Sequence, residues 1–540
     1  MKQQQTGSIN DFGPIRSCFW PIYNWEIKKI LPMFLMIFLI CFNQNVLRNM
    51  KDALVVTASG AEVIPFIKVW ALLPTAILLT IIFTKLSQYF SQEKVFYLMT
   101  SGFLVTFAFF AFVVYPLRDA LHPHDLADKM EVMLPAGFKG LISMFRYWSF
   151  TGFYVMAEMW SCMVLSVLFW GFANQVTRIS EARRFYGVLG IGANLSAVAA
   201  GQSAIQLSQI PQMMGSFFTG REEWEQVQIV LVSVIIICGL ATMMIFRWIN
   251  RQMLIQNNLN ATGQTSPNPI KKKQKLSFRE SILSLSKSKH LMCIAVIVVS
   301  YNLVINLVEV VWKDQLRLIY PNPIELNTYM NNLTSAIGIF STITAVFMAK
   351  IINRFGWTKT ALITPVVMLV TCAGFFSFLF LKEHLSGLVI TLLGTTPLVI
   401  AVFFGGVQNC LSKAAKFSVF DATSNMAYIP LDSETKLKGK AAIDGVGSRF
   451  GKSGSSFIHQ ILLMIFSTLT ASAPYVAGFL FLVIGFWIQS VRSLGKQLSE
   501  SAHNQNEQEA YEKTVQLEPS GAEGSASVIN GSELPVATTG

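Results

Sequence analysis

The stretch AEVIPFIKVWALLPTAILLTIIFTK, residues 61–85, decides the fold class because it is apolar over a length that crosses a bilayer. Lys68 places one full charge inside this apolar run. A charge at such a depth must face protein or water, which makes Lys68 a candidate functional residue. The alternative is that its long side chain reaches the nearer membrane surface, since Lys68 lies only a few residues into the span.

The composition of the whole chain is that of a membrane protein with many spans. Of its 540 residues, 52% are hydrophobic and only 13% are charged, whereas about 25% of the residues in a soluble domain are charged. The net charge of +12 comes mostly from short loops between apolar runs, so it does not indicate nucleic-acid binding. The seven cysteines form no C-x-x-C pair, so neither a metal site nor a disulfide framework is predicted.

Apolar runs of about 20 residues alternate with polar segments, and each run is predicted to be a transmembrane helix. Six runs precede a long polar gap and six follow it, which predicts an all-α polytopic fold with about 12 spans in two six-helix halves. The runs lie at about 30–53, 62–85, 95–116, 141–173, 184–207, 227–247, 290–313, 332–352, 359–381, 386–411, 453–471 and 474–491.

The polar segments complete the predicted domain organisation. Residues 1–29 form a cytoplasmic N-terminal leader without a small-residue cleavage site, so the first apolar run is expected to be retained. The two transmembrane halves, 30–249 and 289–496, are joined by a basic cytoplasmic linker at 250–288. The tail at 497–540 is rich in Glu, Ser, Gly and Asn and is predicted to be disordered in the cytoplasm.

Lysine and arginine are distributed unevenly between the two sides of the predicted bundle. If both termini are cytoplasmic, 31 basic residues fall in inner loops and tails, 9 in outer loops and 2, Lys68 and Arg146, within spans. This excess of positive charge on one side predicts cytoplasmic N- and C-termini.

The two halves carry a weak internal repeat. FN at 42–43 and KDAL at 51–54 in the first span match YN at 301–302 and KDQL at 313–316 in the seventh. Together with six spans in each half, the repeat favours two parallel units around a midplane cavity, the architecture of major-facilitator transporters. The short basic loop at 353–356, NRFG, also resembles that superfamily.

Four charged side chains in or beside the spans are the candidate transport site. They are Lys68, Glu158 near the centre of the fourth span, Glu309 in the outer third of the seventh, and Lys452 where the eleventh begins. A charge at a helix centre costs about 2.5 to 3.5 kcal/mol on insertion, so four such groups require a role. The alternative is that they form two buried Lys–Glu pairs that lock the halves together, although such pairs add little net stability.

The segment GSRFGKSG, residues 447–454, matches a phosphate-binding P-loop only in part. The pattern requires a glycine where Val446 stands, and no strand precedes the segment, so nucleotide hydrolysis is not predicted. Lys452 and Ser453 lie instead at a predicted helix N-terminus, where free N–H groups and the helix dipole favour an anion. The six histidines form no catalytic arrangement, so we expect a carrier without catalytic residues rather than an enzyme.

Several long motifs resemble those of the ATP/ADP translocases, the non-mitochondrial nucleotide transporters of obligate intracellular bacteria and plastids. The resemblance covers about residues 16–490 and implies that Lys68, Glu158, Glu309 and Lys452 are the essential charges of transport. The motifs are IPFIKVW (64–70), FYVMAEMW (153–160), LFWGFAN (168–174), YGVLGIGAN (186–194), NLVEVVWK (306–313), SKAAKFSVFDATSNMAYIPLD (412–432), KGKAAID (438–444) and FGKSG (450–454).

The resemblance implies a secondary transporter that exchanges nucleoside tri- and diphosphates, either ATP and ADP or a broader ribonucleotide set, by alternating access. It implies no cofactor, nucleotides and membrane lipid as partners, no nucleic acid, a monomer, and a place in the bacterial inner membrane. Two alternatives remain open. One is a proton-coupled importer of the same family, with one glutamate as the proton site, and the other is a major-facilitator exporter of organic anions.

The end of the first span departs from the family pattern. Members that exchange ATP for ADP typically read R-D-T-K-D-T where this chain reads R-N-M-K-D-A at 48–53, beside the expected cavity mouth, so the base preference stays open. In an empty carrier, Glu158 and Glu309 are expected to hold Lys68 and Lys452. Further candidate site residues are Arg48, Lys51, Asp52, Arg146, Asn174 and Ser453.

Overall fold

The computed structural model describes residues 20–177, 179–213, 220–261, 288–431, 435, 439–440, 443 and 447–517. In the first half, the helices are α1 Ile27–Ser59, α2 Val63–Tyr89, α3 Gln92–Val114, α4 His124–Met133, α5 Lys139–Arg146, α6 Trp148–Val176, α7 Ile179–Leu207 and α8 Glu223–Ala261. In the second half, they are α9 Lys289–Ile319, α10 323–355, α11 357–380, α12 Lys382–Leu393, α13 Pro397–Ala427, α14 Ser448–Phe466 and α15 Leu469–Leu517.

The helices agree with the predicted membrane spans. Ten helical segments in the described part of the chain are long and apolar enough to cross a membrane. The two other predicted spans, the eighth and the eleventh, are also helical and correspond to α10 and α14. The predicted loop at 353–356 contains Gly356, whose φ of +73° ends the regular helix between α10 and α11 and is readily adopted by glycine.

Two predicted spans differ from the observed helices. The fourth span begins at Trp148 rather than near 141, because Tyr147 has a non-helical backbone and separates α6 from the short helix α5. The tenth is interrupted at Gly394, which is left-handed and ends α12, and Pro397 starts the next helix. Glycine after a helix and proline in the first turn are the usual signals for such a break.

The predicted division into domains is only partly covered by the structure. Helix α15 continues to Leu517, beyond the predicted start of the tail at 497. The predicted boundary between the second half and the tail therefore falls inside a helix. The leader up to residue 19, the linker residues 262–287 and the tail residues 518–540 lie outside the described residues.

Among the fully described spans, four contain a π-helical segment, in which the backbone accommodates an extra residue per turn. The segments are 67–72, 110–114, 161–169 and 416–420. Lys68 lies in the first, Glu158 lies just before the third, and Lys413 lies just before the fourth. Such segments occur frequently at functional sites, where they change which face a side chain occupies.

Aromatic rings between α3 and α6 hold the fourth span in place. The rings of Phe110 and Phe153 stack with centroids 4.4 Å apart, and Phe107 meets Phe153 edge-on at 5.9 Å. Two turns further along α6, the buried Trp160 donates from Nε1 to the carbonyl oxygen of Ile40 on α1 at 3.1 Å. These contacts fix the face of α6 that carries Glu158 toward α1.

The two halves approach most closely where α7 meets α10. A Cβ atom added at Gly201 would lie 2.2 Å from Ser335 Oγ and 2.4 Å from the Asn331 carbonyl oxygen. One added at Gly338 would lie 2.7 Å from the carbonyl oxygen of Asn194. No side chain fits at such distances, so these two glycines set the spacing of the halves.

The bundle has two ends, which we call the inner end, where α1 begins, and the outer end, where α1 finishes. Near the outer end, Gln460 on α14 donates to the carbonyl oxygen of Pro65 on α2 at 2.9 Å. At mid-depth, by contrast, the side chains of Arg48 and Glu158 retain 34% and 35% of their exposure. The halves are therefore in contact near the outer end, while two charged side chains at mid-depth keep about a third of their exposure.

Candidate functional site

Helix α1 brings three charged side chains to one face. Lys51 and Asp52 follow Arg48 by three and four residues, which is about one helical turn. Lys51 Nζ lies 2.9 Å from Asp52 Oδ1 and 2.9 Å from Glu158 Oε1. The same ammonium group lies 3.7 Å from the centroid of the Tyr154 ring, which provides a cation–π contact. Lys51 is almost completely buried and is held from three sides.

Asp52 connects the two halves of the molecule. Its second oxygen, Oδ2, accepts a hydrogen bond from Lys313 Nζ on α9 at 2.8 Å. Both side chains are buried. Removal of either partner would leave a charge in a region that water does not reach, which costs about 3 to 5 kcal/mol for a buried pair.

Glu309 gathers basic side chains from three helices around one oxygen atom. Its Oε1 lies 3.5 Å from Arg48 Nη2, 3.3 Å from Lys313 Nζ and 3.4 Å from Lys413 Nζ. One carboxylate carries a single negative charge, so it cannot balance three cations. The arrangement therefore attracts a further anion.

Lys68 approaches the same cluster from α2 but does not pair with a carboxylate. Its Nζ donates to Asn306 Oδ1 at 2.9 Å, and Asn306 lies one turn before Glu309 on α9. Glu309 and Glu158 are among the charges that act on Lys68. The lysine therefore faces protein at the junction of the halves and does not extend to the membrane surface.

Lys452 is separated from the buried cluster. It is the fifth residue of α14, so it lies beyond the predicted helix N-terminus, and its side chain is exposed. Lys416, Glu158 and Arg48 are among the charges that act on it. Among the described residues, neither Lys68 nor Lys452 forms an ion pair with Glu158 or Glu309, so the expected pairing of these four is wrong for this conformation. Ser453, beside Lys452, is partly buried.

Two of the further candidates lie elsewhere. Arg146 pairs with Asp128 at 2.6 Å and Glu131 at 3.2 Å on α4, outside the spans and apart from the cluster. Its predicted place within a span is wrong because α5 ends at Arg146 before the fourth span begins. Asn174 is exposed near the inner end of α6, where Tyr186 Oη donates to its Oδ1 at 2.5 Å.

The sequence analysis missed four residues of the cluster, namely Lys313, Lys413, Asn306 and Tyr154. Lys313 belongs to the internal repeat and Lys413 to the motif at 412–432, so both were visible as motif residues without a role. Their positions near spans gave no indication of which face they occupy. A search for basic residues on the same helical face as Glu309 would have found Lys313, its neighbour at i+4.

The unusual residues at 49 and 50 lie inside the contact between the halves. Asn49 Nδ2 donates to Asn331 Oδ1 at 2.7 Å and to Thr334 Oγ1 at 3.0 Å, and Met50 is fully buried. The prediction that they lie beside an open cavity mouth is therefore wrong for this conformation. The departure from R-D-T-K-D-T therefore changes how α1 packs on α10 in this conformation.

A separate cavity of about 560 Å³ opens at the outer end. Its lining includes Arg118, Asp119, His122, Glu222 and Glu223. Arg118 is already bound by Glu222 at 2.6 Å, and burial lowers the pKa of His122 from 6.5 to about 4. The acids therefore outnumber the cations around this cavity near neutral pH, and it suits an anion less well than the cluster at mid-depth.

The sequence of this chain is similar to those of known proteins over most of its length. A model of the TLC ATP/ADP transporter family matches residues 5–498. ADP,ATP carrier protein 1 of Chlamydia pneumoniae is 43% identical over 500 residues, which cover 92% of this chain and 96% of the relative. The chloroplastic ADP,ATP carrier protein 1 of Arabidopsis thaliana is 40% identical over 476 residues, which cover 88% of this chain and 74% of the relative.

Solved structures with a similar fold include a D-xylose–proton symporter. It is only 10% identical in sequence, but it aligns with a TM-score of 0.50 over 88% of this chain and 97% of its own. At this identity the likeness concerns the fold alone. It confirms the predicted all-α, major-facilitator-like arrangement of two six-helix halves.

Proposed function

The chain belongs to the TLC ATP/ADP transporter family, and we propose that it is a secondary nucleotide transporter that exchanges nucleoside tri- and diphosphates, ATP and ADP among them, by alternating access. The observation that supports this proposal best is the buried basic cluster at the junction of the halves. Three cations share one carboxylate at Glu309, and Arg48 and Glu158 keep about a third of their exposure.

A polyphosphate chain fits the chemistry of the cluster. Lysine and arginine donate strong charge-assisted hydrogen bonds to phosphate oxygens, and arginine can do so with two N–H groups at once. A substrate that enters from the inner end would meet the exposed Lys452 and the half-exposed Arg48 first. Its phosphates would then replace Asn306 as the partner of Lys68 and Glu309 as the partner of Lys413.

The same contacts provide a mechanism for exchange. The pairs Asp52–Lys313 and Glu309–Arg48 join the first half to the second. A phosphate that takes over these cations weakens both bonds, so the loaded carrier rocks between its two conformations more readily than the empty one. Slow return of the empty carrier makes transport in one direction depend on a substrate carried in the other.

The remaining predicted features form part of the proposal. Lys68, Glu158, Glu309 and Lys452 take part in transport together with Arg48, Lys51 and Asp52, and the protein has no catalytic activity of its own. It is a multi-span membrane protein, and we place it as a monomer in a bacterial inner membrane with both termini in the cytoplasm. The basic residues concentrated in the predicted inner loops support this orientation.

Purified protein in liposomes tests the proposal. Liposomes preloaded with ADP should take up labelled ATP in a saturable manner, while liposomes without internal nucleotide should take up much less. The Lys68→Gln variant, inserted to the same level, serves as the matched control and should lose most of the uptake. No uptake of any nucleoside di- or triphosphate would contradict the proposal.

The same preparation separates the alternatives. Uptake that needs a pH gradient and no internal nucleotide would instead favour the proton-coupled importer. Phosphate release from ATP by the purified protein, without flux into the liposomes, would show an enzyme. Uptake of organic anions of other kinds, with nucleotides excluded, would favour an exporter of the major-facilitator type.

A further inference from the structure

The balance of charge in the cluster bears on which form of the nucleotide is carried. Contacts in the structure connect four basic side chains to three carboxylates, and a fifth, Lys68, is held by Asn306 one turn before Glu309. The basic ones are Arg48, Lys51, Lys68, Lys313 and Lys413, and the carboxylates are Asp52, Glu158 and Glu309. The cluster therefore carries a surplus of two positive charges.

Each of the three carboxylates is already occupied by at least one cation of the protein. Asp52 is bound by Lys51 and Lys313, and Glu158 is bound by Lys51. Glu309 is shared by three basic groups. A magnesium ion at any of these carboxylates would lie beside a lysine or arginine that is already bound there, and the like charges would repel each other.

A magnesium ion has specific requirements that this cluster does not meet. Mg²⁺ prefers six oxygen ligands in near-octahedral geometry and usually keeps several water molecules. In a nucleotide complex these ligands are phosphate oxygens, water and one or two carboxylates, and each carboxylate of this cluster already contacts a lysine or arginine. Lysine ammonium groups repel a divalent cation, and they compete with it for the same phosphate oxygens.

We propose that the species carried by this site is the metal-free nucleotide and that the magnesium complex is excluded. This inference rests on the proposed nucleotide transport and specifies its substrate. Lys68, Lys413 and Arg48 take the positions on the phosphate oxygens that Mg²⁺ holds in the complex. The metal-free form also carries two more negative charges than the complex, so a cluster with a surplus of positive charge attracts it more strongly.

Two series of uptake measurements in ADP-loaded liposomes test the inference. In the first series, the concentration of metal-free ATP is fixed while that of the magnesium complex rises tenfold. In the second series, the complex is fixed while metal-free ATP rises tenfold from well below half-saturation. The initial rate should stay constant in the first series and rise by up to about tenfold in the second. The reason is that the rate of uptake depends only on the concentration of the form that binds, which is metal-free ATP.

Ionic strength is kept equal in both series with choline chloride, and protein-free liposomes give the background. An initial rate that rises in the first series would overturn the inference, because the complex would then be carried. That result would leave nucleotide transport itself intact. Absence of uptake in every condition would instead contradict the proposed function, so the two failures are distinguishable.

A variant links the selectivity to the cluster. Lys413→Gln removes one of the two surplus charges and should reduce the ratio of metal-free to complexed uptake severalfold. The exposed Lys382 on α12 gives the matched control, since Lys382→Gln is the same substitution at a lysine outside the cluster. An unchanged ratio in Lys413→Gln, at normal insertion, would show that the surplus charge does not select the substrate. If Lys413→Gln fails to insert, Lys413→Met, which also removes the charge, replaces it in the same measurement.

Discussion

At the scale of single residues, the ion pairs of the cluster determine which substitutions can compensate for each other. Lys51 and Glu158 are in direct contact at 2.9 Å, whereas Lys68 contacts Asn306. The loss of one partner leaves a buried charge, and the loss of both does not, so contacting pairs show coupling that separated residues lack. The pairs observed here therefore replace the pairs expected from the sequence.

The first prediction concerns Lys51 and Glu158. Each single change to Gln should destabilise the protein in detergent by about 1 to 3 kcal/mol, because Lys51 would keep only Asp52 as its ion partner and the partly exposed Glu158 would keep none. The double variant should be more stable than the sum of the single losses by at least about 1 kcal/mol. Thermal unfolding of the four proteins measures the coupling.

The control is the combination of Lys382→Gln with Glu158→Gln. Lys382 is exposed on α12 and lies outside the cluster, so the two effects should add within about 0.5 kcal/mol. Equal coupling in both double variants would contradict the contacts of the structure.

The second prediction concerns Lys413. If its ammonium group binds phosphate, Lys413→Gln should raise the KM for ATP by about tenfold or more, because one charge-assisted hydrogen bond to the substrate is lost. Lys413→Arg should have a smaller but clear effect, because a planar guanidinium does not replace a point charge in a fixed geometry. Initial uptake rates over a range of ATP concentrations give the KM, with Lys382→Gln as the control for an exposed lysine. An unchanged KM in Lys413→Gln would remove Lys413 from the substrate site.

Individual residues also show what could be predicted from the sequence. Lys68, Glu158 and Glu309 stand out because each is a charge within an apolar run. Lys413 does not, since it lies near a polar motif and its proximity to Glu309 depends on how α13 packs against α9. Arg146 was placed in a span because an apolar window does not show the break at Tyr147.

At the scale of helices, Gly201 on α7 and Gly338 on α10 control how these two helices pack. Gly201 touches Ser335 and Asn331, whereas an added Cβ at Gly190 on the same helix would have no neighbour within 4 Å. A methyl group at Gly201 would force the two helices apart near the outer end. The outer end would then close less completely.

The third prediction follows from this contact. Gly201→Ala should lower the exchange rate by about tenfold or more, since it raises the energy of the closed outer end by at least about 1.4 kcal/mol. Gly190→Ala should remain within about twofold of wild type, since there is space for the methyl group. Initial rates of ATP uptake in ADP-loaded liposomes provide the comparison, and equal rates for the two variants would contradict the close approach.

The fourth prediction concerns His122, which follows α3 outside the spans. Its Nε2 lies 2.7 Å from Ser149 Oγ, and burial, followed by the nearby His124, lowers its pKa from 6.5 to about 4. The folded protein therefore favours the neutral imidazole. This contribution to stability is fully present above pH 6.5 and declines as the pH falls toward 4, because the unfolded chain gains the proton first.

Thermal unfolding between pH 7 and about pH 4 tests this dependence. The unfolding temperature should fall less steeply in His122→Gln than in wild type, while His124→Gln should retain most of the wild-type slope. A slope that does not change in His122→Gln would show that other groups cause the decline.

The helices themselves were largely predictable, because long apolar runs leave few alternatives in a membrane. The break at Gly394 and the π-helical segments were not predicted. A π turn arises from packing between helices and leaves no pattern in the spacing of apolar residues. The segment at 67–72 nevertheless determines where Lys68 lies, so the site depended on a feature that the sequence did not show.

At the scale of the whole molecule, polar contacts between the halves are concentrated near the outer end and at mid-depth. Asp52–Lys313, Asn49–Asn331 and Gln202–Ser335 connect the outer part of the first half to the second. The first of these pairs belongs to the cluster as well. The groups proposed to bind substrate therefore also hold the outer end closed, which couples occupancy to conformation.

The fifth prediction tests this coupling. The double variant Asp52→Asn with Lys313→Gln removes the ion pair between the halves without leaving one charge of the pair alone. Because the empty carrier would then open at its outer end more readily, release of internal ATP without external nucleotide should rise severalfold. The ratio of efflux with external ADP to efflux without it should fall correspondingly.

The matched control is a buried ion pair that lies within one half. Arg184 contacts Glu26 through two hydrogen bonds of 2.8 and 2.7 Å, and both residues belong to the first half. The double variant Glu26→Gln with Arg184→Gln should lose stability but keep the wild-type ratio of the two efflux rates. If both double variants change the ratio equally, general loosening of the bundle would explain the effect. If only the Asp52 and Lys313 variant changes it, the contact between the halves is what makes transport depend on exchange.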